Sequence, residues 1–179
     1  MEFDIQESAR LKGVFIITPN QFSDLRGEIW SVFEKQAFKG LLPPGLDFVL
    51  DKFTTSKQNV LRGIHGDYKS WKLVTCAFGE ILQVVVDCRE DSPTFLQHEK
   101  FIISHTQPKL VLIPPRFGNA QYVRSAHSLY YYKWAYEGEY VDASEQFTYA
   151  FDDARIGIDW ELGGKTPILS ARDLMAAGK

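Results

Sequence analysis

The sequence predicts an all-β protein, an antiparallel sandwich closed into a barrel. Three observations carry this reading. Short segments rich in β-branched and aromatic residues recur along the chain, a composition that suits a pleated, half-buried surface. Gly, Pro, Asn and Asp punctuate these segments at short intervals, as the turns of antiparallel sheets require. Helix signals are confined to two short stretches.

In order, strands are expected over Gly13–Thr18, Gly27–Phe33, Asp47–Thr54, Asn59–His65, Lys72–Ala77, Glu80–Cys88, Glu99–Ser104, Leu110–Ile113, Ala120–Val123 and Ser128–Trp134. A short helix is expected near Glu34–Leu41. A second begins at Ser170, where Ser170-Ala171-Arg172-Asp173 matches the serine-x-x-acid capping pattern. Pro43-Pro44-Gly45 and Pro114-Pro115 read as loops within one fold. Val84-Val85-Val86 belongs in a buried strand, whereas Gln83 and Asp87 share one face of that strand and would be costly in an apolar interior. Those two residues suggest a polar, ligand-sized lumen.

With 179 residues, 45% of them hydrophobic, the chain can build one well-buried core. No repeat, low-complexity tract or linker divides it, so residues 1–179 read as a single domain. No run approaches the roughly 18 apolar residues of a membrane span, and Met1-Glu2-Phe3-Asp4 lacks the basic and apolar regions of a signal peptide. A cytoplasmic location without a membrane partner is expected. The net charge of −3 gives no electrostatic footprint for nucleic acid, so an anionic ligand must be met by local cations. Cys76 and Cys88 read as small core residues rather than a disulfide or metal framework.

The densest chemistry lies in Asn59-Val60-Leu61-Arg62-Gly63-Ile64-His65, followed seven residues later by Lys72-Leu73-Val74. Histidine can accept and return a proton near neutrality. Arginine offers a fork to phosphate oxygens, and lysine a compact charge for a developing oxyanion. Strict alternation, however, sets His65 and Arg62 on opposite faces of the strand. Both reach one ligand only if the strand bends, and Gly63 and Gly66 are where it could.

A second cluster is Tyr130-Tyr131-Tyr132-Lys133-Trp134, in which Tyr130, Tyr132 and Trp134 share one side. A tyrosine can donate a proton to a carbanion held against it, but three tyrosines in a strand also suit ordinary packing, and spacing does not choose among them. Asp173 is explained on sequence alone as a first-turn acid of a capped helix. His65-Gly66-Asp67 offers one imidazole where a metal-binding barrel would want a pair, so no metal is expected. A phosphate-binding glycine loop, Gly-x-Ser-x-Gly and a Cys-His pairing are all missing from the sequence.

Taken together, the motifs resemble those of the nucleotide-sugar 3,5-epimerases of the cupin superfamily, typified by dTDP-4-dehydrorhamnose 3,5-epimerase. The resemblance runs from about Gly13 to Asp173. It includes Asp24-x-Arg26-Gly27, the Asn59–His65 and Lys72–Val74 segments, Asp91-Ser92-Pro93-Thr94-Phe95, Ile113-Pro114-Pro115, Tyr132-Lys133, Ile156-Gly157-Ile158-Asp159-Trp160 and Leu169–Asp173. It implies a cupin jelly roll with a few short flanking helices, no cofactor, and a homodimer. It also implies that His65 is the base, assisted by Asp173, that Tyr132 is the acid on the opposite face, and that Lys72 steadies the enolate oxygen. Arg62, and Arg26 reaching across the dimer, would hold the diphosphate of a nucleotide-linked 4-keto sugar. Tyr140 would stack on the base, with Glu145 and Arg172 at further ligand positions, beyond a small insertion before Tyr140.

The chemistry agrees with that assignment. A ketone at C4 lets electrons from a broken C3–H or C5–H bond rest on oxygen, so proton removal on one face and return on the other inverts the centre.

Departures from the family pattern bear on the substrate. Arg116-Phe117-Gly118-Asn119 stands where the rhamnose-pathway enzymes carry a histidine, which makes Asn119 a candidate ligand residue. Ser31 replaces an acidic residue, and Leu50-Asp51-Lys52 replaces a Gln-Asp-Asn segment. These differences look most like the branch acting on GDP-4-keto-6-deoxy-heptoses in bacterial capsule synthesis, with inversion at C3, C5 or both. Alternatives are a dTDP-4-keto-6-deoxy-hexose 3,5-epimerase, a cupin 3,4-ketoisomerase and a non-catalytic sugar-nucleotide binding protein.

Overall fold

The computed structural model describes residues 2–178. Thirteen strands and one helix follow in order: β1 (Phe3–Glu7), β2 (Phe15–Pro19), β3 (Gln21–Asp24), β4 (Gly27–Trp30), β5 (Phe48–Lys57), β6 (Leu61–Gly66), β7 (Trp71–Phe78), β8 (Glu80–Asp87), β9 (His98–Ser104), β10 (Leu110–Ile113), β11 (Phe117–Val123), β12 (His127–Ala135), β13 (Phe147–Thr148) and α1 (Ala171–Ala176). A six-stranded sheet runs β1-β2-β10-β7-β12-β5 and a five-stranded sheet β13-β6-β11-β8-β9, while β3 and β4 form a separate hairpin. Pairings within the sheets are antiparallel, and sequence neighbours repeatedly fall in different sheets. This is the jelly roll that the sequence led us to expect.

Three apolar layers hold the sandwich. Val74, Cys76 and Tyr130 of the larger sheet meet Ile81, Val85, Phe101 and Ile103 of the smaller between the sheets. Outside the smaller sheet, Leu82, Val84, Val86 and Tyr122 are covered by Phe151, Ile156 and Trp160. Outside the larger, Leu73, Leu110 and Leu112 are covered by Phe38 and the partly buried Phe33 and Leu42. The central strands of each sheet are therefore buried on both faces, which is why Val84-Val85-Val86 is apolar throughout instead of alternating with polar residues.

Several elements differ from the sequence-based expectation. Strands β1, β3 and β13 were not anticipated. The helix expected at Glu34–Leu41 is a set of tight turns, closed by Phe38 N–H to Glu34 O and Leu41 N–H to Phe38 O, both at 3.2 Å. Phe38 is 4% exposed and packs against Phe3 and Phe33, so tertiary packing sets the conformation there. The expected few flanking helices reduce to α1 among the described residues. Asp87 does not face a lumen. It accepts from the Arg89 guanidinium, from Ser92 Oγ and from Thr94 Oγ1 at 2.6–2.8 Å, pinning the turn that follows β8.

Candidate active site

The conflict between Arg62 and His65 is resolved by a bulge. Asn119 of β11 stands opposite His65 and Gln121 opposite Arg62, so two steps on β11 match three on β6. The extra residue shifts the alternation, and both side chains line one cavity of about 400 Å3 between the sheets. Gly63 makes this possible: its φ is +129°, and a Cβ there would collide with Ala120.

His65 is anchored from outside the barrel. Its Nε2 lies 2.5 Å from Asp173 Oδ1. Burial pushes the Asp173 carboxyl up, but the bonds from His65 and Ser170 outweigh it, and the group stays below the usual carboxylate range. An ionised carboxylate only accepts, so Nε2 donates to it, and Nδ1 is the ring nitrogen left for a substrate proton.

The opposite wall comes from β12 of the larger sheet. Tyr131 points away from the cavity and donates to Asp51 Oδ1 at 2.7 Å. Tyr130 is fully buried, its hydroxyl donating to Gln83 Oε1 at 2.6 Å. Tyr132 lines the cavity. Burial, partly opposed by Arg62, pushes its hydroxyl up to about 12, so it is protonated near neutrality. The three tyrosines that spacing could not separate thus occupy three distinct environments.

Lys72 is 4% exposed, paired with Asp67 at 3.0 Å and seated over the Trp134 ring at 4.6 Å. Burial lowers its pKa, with Asp67 pulling the other way. Arg62 donates to Ser56 Oγ at 3.0 Å. Arg172 donates to Thr148 Oγ1 at 2.6 Å and to the carbonyls of Gln146 and Phe147, fastening α1 to β13. Tyr140 accepts from Lys52 Nζ at 2.9 Å. Asn119 completes the expected residues at the cavity wall.

Two expected residues lie elsewhere. Arg26, at the tip of the β3–β4 hairpin, pairs with Asp24 and is 88% exposed at its side chain. Glu145 is exposed and accepts from the Asp142 N–H at 3.1 Å, while its neighbours Ala143 and Gln146 reach the cavity. Sequence reasoning in turn did not assign Thr54, Gln121 or Gln146 to the site, nor Asp67 as the partner of Lys72.

Lys52, Arg62, Lys72 and Arg172 give this wall four cationic side chains, and no described carboxylate lines it. A second cavity of about 450 Å3, among Phe33–Phe48, has no histidine, tyrosine or arginine. No group of three metal-ligating side chains occurs among the described residues, and no described helix is long and apolar enough to cross a membrane.

The double-sheet barrel thus brings a carboxylate-held histidine and a buried tyrosine to the wall of one cationic cavity. Comparison with known proteins gives the family. Residues 8–178 match the family model of dTDP-4-dehydrorhamnose 3,5-epimerase, and the chain belongs to that family of isomerases. It is 35% identical over 166 residues to the dTDP-4-dehydrorhamnose 3,5-epimerase of Salmonella typhimurium, covering 91% of this chain and 88% of the relative. The dTDP-6-deoxy-D-glucose-3,5-epimerase of Legionella pneumophila, solved with dTDP-4-keto-L-rhamnose, superposes with a TM-score of 0.88 at 32% identity, covering 98% and 92% of the two chains. A 3'-monoepimerase from Streptomyces bikiniensis, solved with dTDP-quinovose, superposes at 0.85 with 26% identity, covering 96% and 86%.

Proposed function

We propose that this nucleotide-sugar epimerase acts on a dTDP-linked 4-keto-6-deoxy hexose, inverting C3 and C5. The observation that carries the reading is the opposition of His65, held by Asp173, and Tyr132 on facing sheets of one cation-lined cavity. The relatives' shared dTDP chemistry favours this carrier over the GDP-linked heptose that the departures at Asn119 and Lys52 suggested.

His65 Nδ1 takes the proton from the carbon beside the ketone, and the bonding pair moves into an enolate whose oxygen lies against Lys72. Tyr132 gives its proton to the other face of that carbon. Both groups then return to their starting protonation through solvent, so no redox step is involved. Arg62 and Arg172 hold the diphosphate and Tyr140 stacks on the base, with Asn119 as a further ligand group.

The working unit in this reading is a homodimer in which Arg26 reaches the partner's diphosphate. Supporting it, β5 is an edge strand with Val49 58% and Phe53 61% exposed, and the β3–β4 hairpin leaves Phe22, Leu25 and Ile29 exposed. Such an edge calls for cover.

The test is incubation in heavy water with dTDP-4-keto-6-deoxy-glucose and, separately, GDP-4-keto-6-deoxy-heptose. Deuterium at C3 and C5 of the dTDP sugar is expected. Label at C3 alone would make the protein a monoepimerase, and label only in the heptose would establish the GDP reading. A displaced carbonyl would indicate a ketoisomerase, and no reaction at all a binding protein.

A further inference from the structure

Gln121 differs from its neighbours on the cavity wall. It is 1% exposed and lines the cavity, yet neither Nε2 nor Oε1 has a hydrogen-bond partner among the described residues. Asn119, two residues earlier and also lining the cavity, has its Oδ1 engaged by Gln83 Nε2 at 2.6 Å. Thr54 Oγ1, on the opposing sheet, also lines the cavity and is also unpartnered. A buried carboxamide that only filled space would be worse than an apolar side chain of equal volume, because its desolvation is not recovered. The feature points to a ligand.

Its position says which part of the ligand. Asn119 is opposite His65 and Gln121 opposite Arg62, and residues two apart on a strand are separated by about 6.5 Å. Gln121 therefore stands beside the guanidinium that would hold the diphosphate, one two-residue step along β11 from the residue facing His65. In a sugar with C3 at His65 and its C1 phosphate at Arg62, the hydroxyl next to that phosphate, on the side toward His65, is the one on C2. A phosphate oxygen can satisfy Nε2 only, whereas a hydroxyl can donate to Oε1 or accept from Nε2.

We propose that Gln121 is a specificity residue that recognises the sugar hydroxyl beside the anomeric carbon. The assignment rests on the function proposed above. It predicts that the protein selects against 2-deoxy sugars before any chemistry occurs.

The test is calorimetric binding of dTDP-glucose, dTDP-2-deoxyglucose, their GDP counterparts and the free nucleoside diphosphates to wild type and Gln121→Met. For whichever carrier binds, wild type is expected to favour the 2-hydroxy sugar by roughly tenfold. The variant is expected to bind both sugars equally, to bind the free diphosphate as wild type does, and to melt at a higher temperature. Equal wild-type affinity for the two sugars, or discrimination that survives in the variant, would overturn the assignment while leaving the epimerase reading intact. A lower melting temperature would also overturn it, by showing that the carboxamide is engaged in the fold. Failure of every nucleotide sugar to bind would overturn both readings.

Discussion

Ser170 and Asp173 exchange two hydrogen bonds: the Asp173 N–H donates to Ser170 Oγ at 3.2 Å, and the Ser170 hydroxyl donates to Asp173 Oδ2 at 2.8 Å. One carboxylate oxygen belongs to the helix cap and the other, Oδ1, to His65. The capping role and the role suggested by family resemblance are thus one arrangement, in which a helix start aims the partner of the imidazole.

Ser170→Ala should lower unfolding free energy by about 1 kcal/mol, the usual cost of losing a cap, and should also slow substrate hydrogen exchange. Denaturant titration and deuterium uptake read the two effects. Loss of stability with exchange unchanged would show that Oδ1 is aimed without the serine.

His65→Asn and Tyr132→Phe should separate the two proton transfers. The first should abolish exchange of the substrate's C–H while leaving nucleotide binding largely intact. The second should retain exchange but slow inversion by about 10²–10⁴-fold, the usual contribution of a positioned acid. Equal inversion rates for wild type and Tyr132→Phe would remove that residue from the acid's role.

Arg26 offers a test of the dimer. If it serves the partner's site, Arg26→Ala and His65→Asn homodimers should each be inactive. Mixing them with subunit exchange should restore about a quarter of wild-type activity, because half the dimers are mixed and each carries one intact site. No recovery despite demonstrated exchange would confine Arg26 to its own subunit or exclude it from the site.

Asp87 carries a pH signature of stability. Burial pushes its carboxyl up, but the bonds from Arg89, Ser92 and Thr94 hold it down at about 2, below the unfolded value of 3.8. A depressed folded pKa gives stability that is complete above the unfolded value and fades as pH falls through the folded one. It amounts to about 2 kcal/mol. The stability gap between wild type and Asp87→Asn should therefore be open at pH 6 and narrow steadily from pH 4 to pH 2. A gap independent of pH would assign the effect to packing.

The β-rich pattern and the His65, Arg62 and Lys72 group were legible in the sequence because they depend on local composition. What was illegible depends on partners far along the chain. Alternation within β6 put Arg62 and His65 on opposite faces, and only the register against β11 reverses that. Gln121 looked like any strand residue until the facing sheet enclosed it. The 34–41 segment carried a helical pattern that Phe38 gives up to pack against Phe3 and Phe33.

Asp173 lies far along the chain from the histidine it holds. Every strand of the two sheets except β13 ends by Ala135, so a ribosome can have delivered nearly the whole barrel, His65 and Tyr132 included, before residue 173 is made. Domains fold as the chain emerges, N-terminal parts first. In that interval the nascent protein has a cavity and an imidazole with no carboxylate to direct it. Competence for proton transfer arrives only after the barrel strands, when α1 is made and docks.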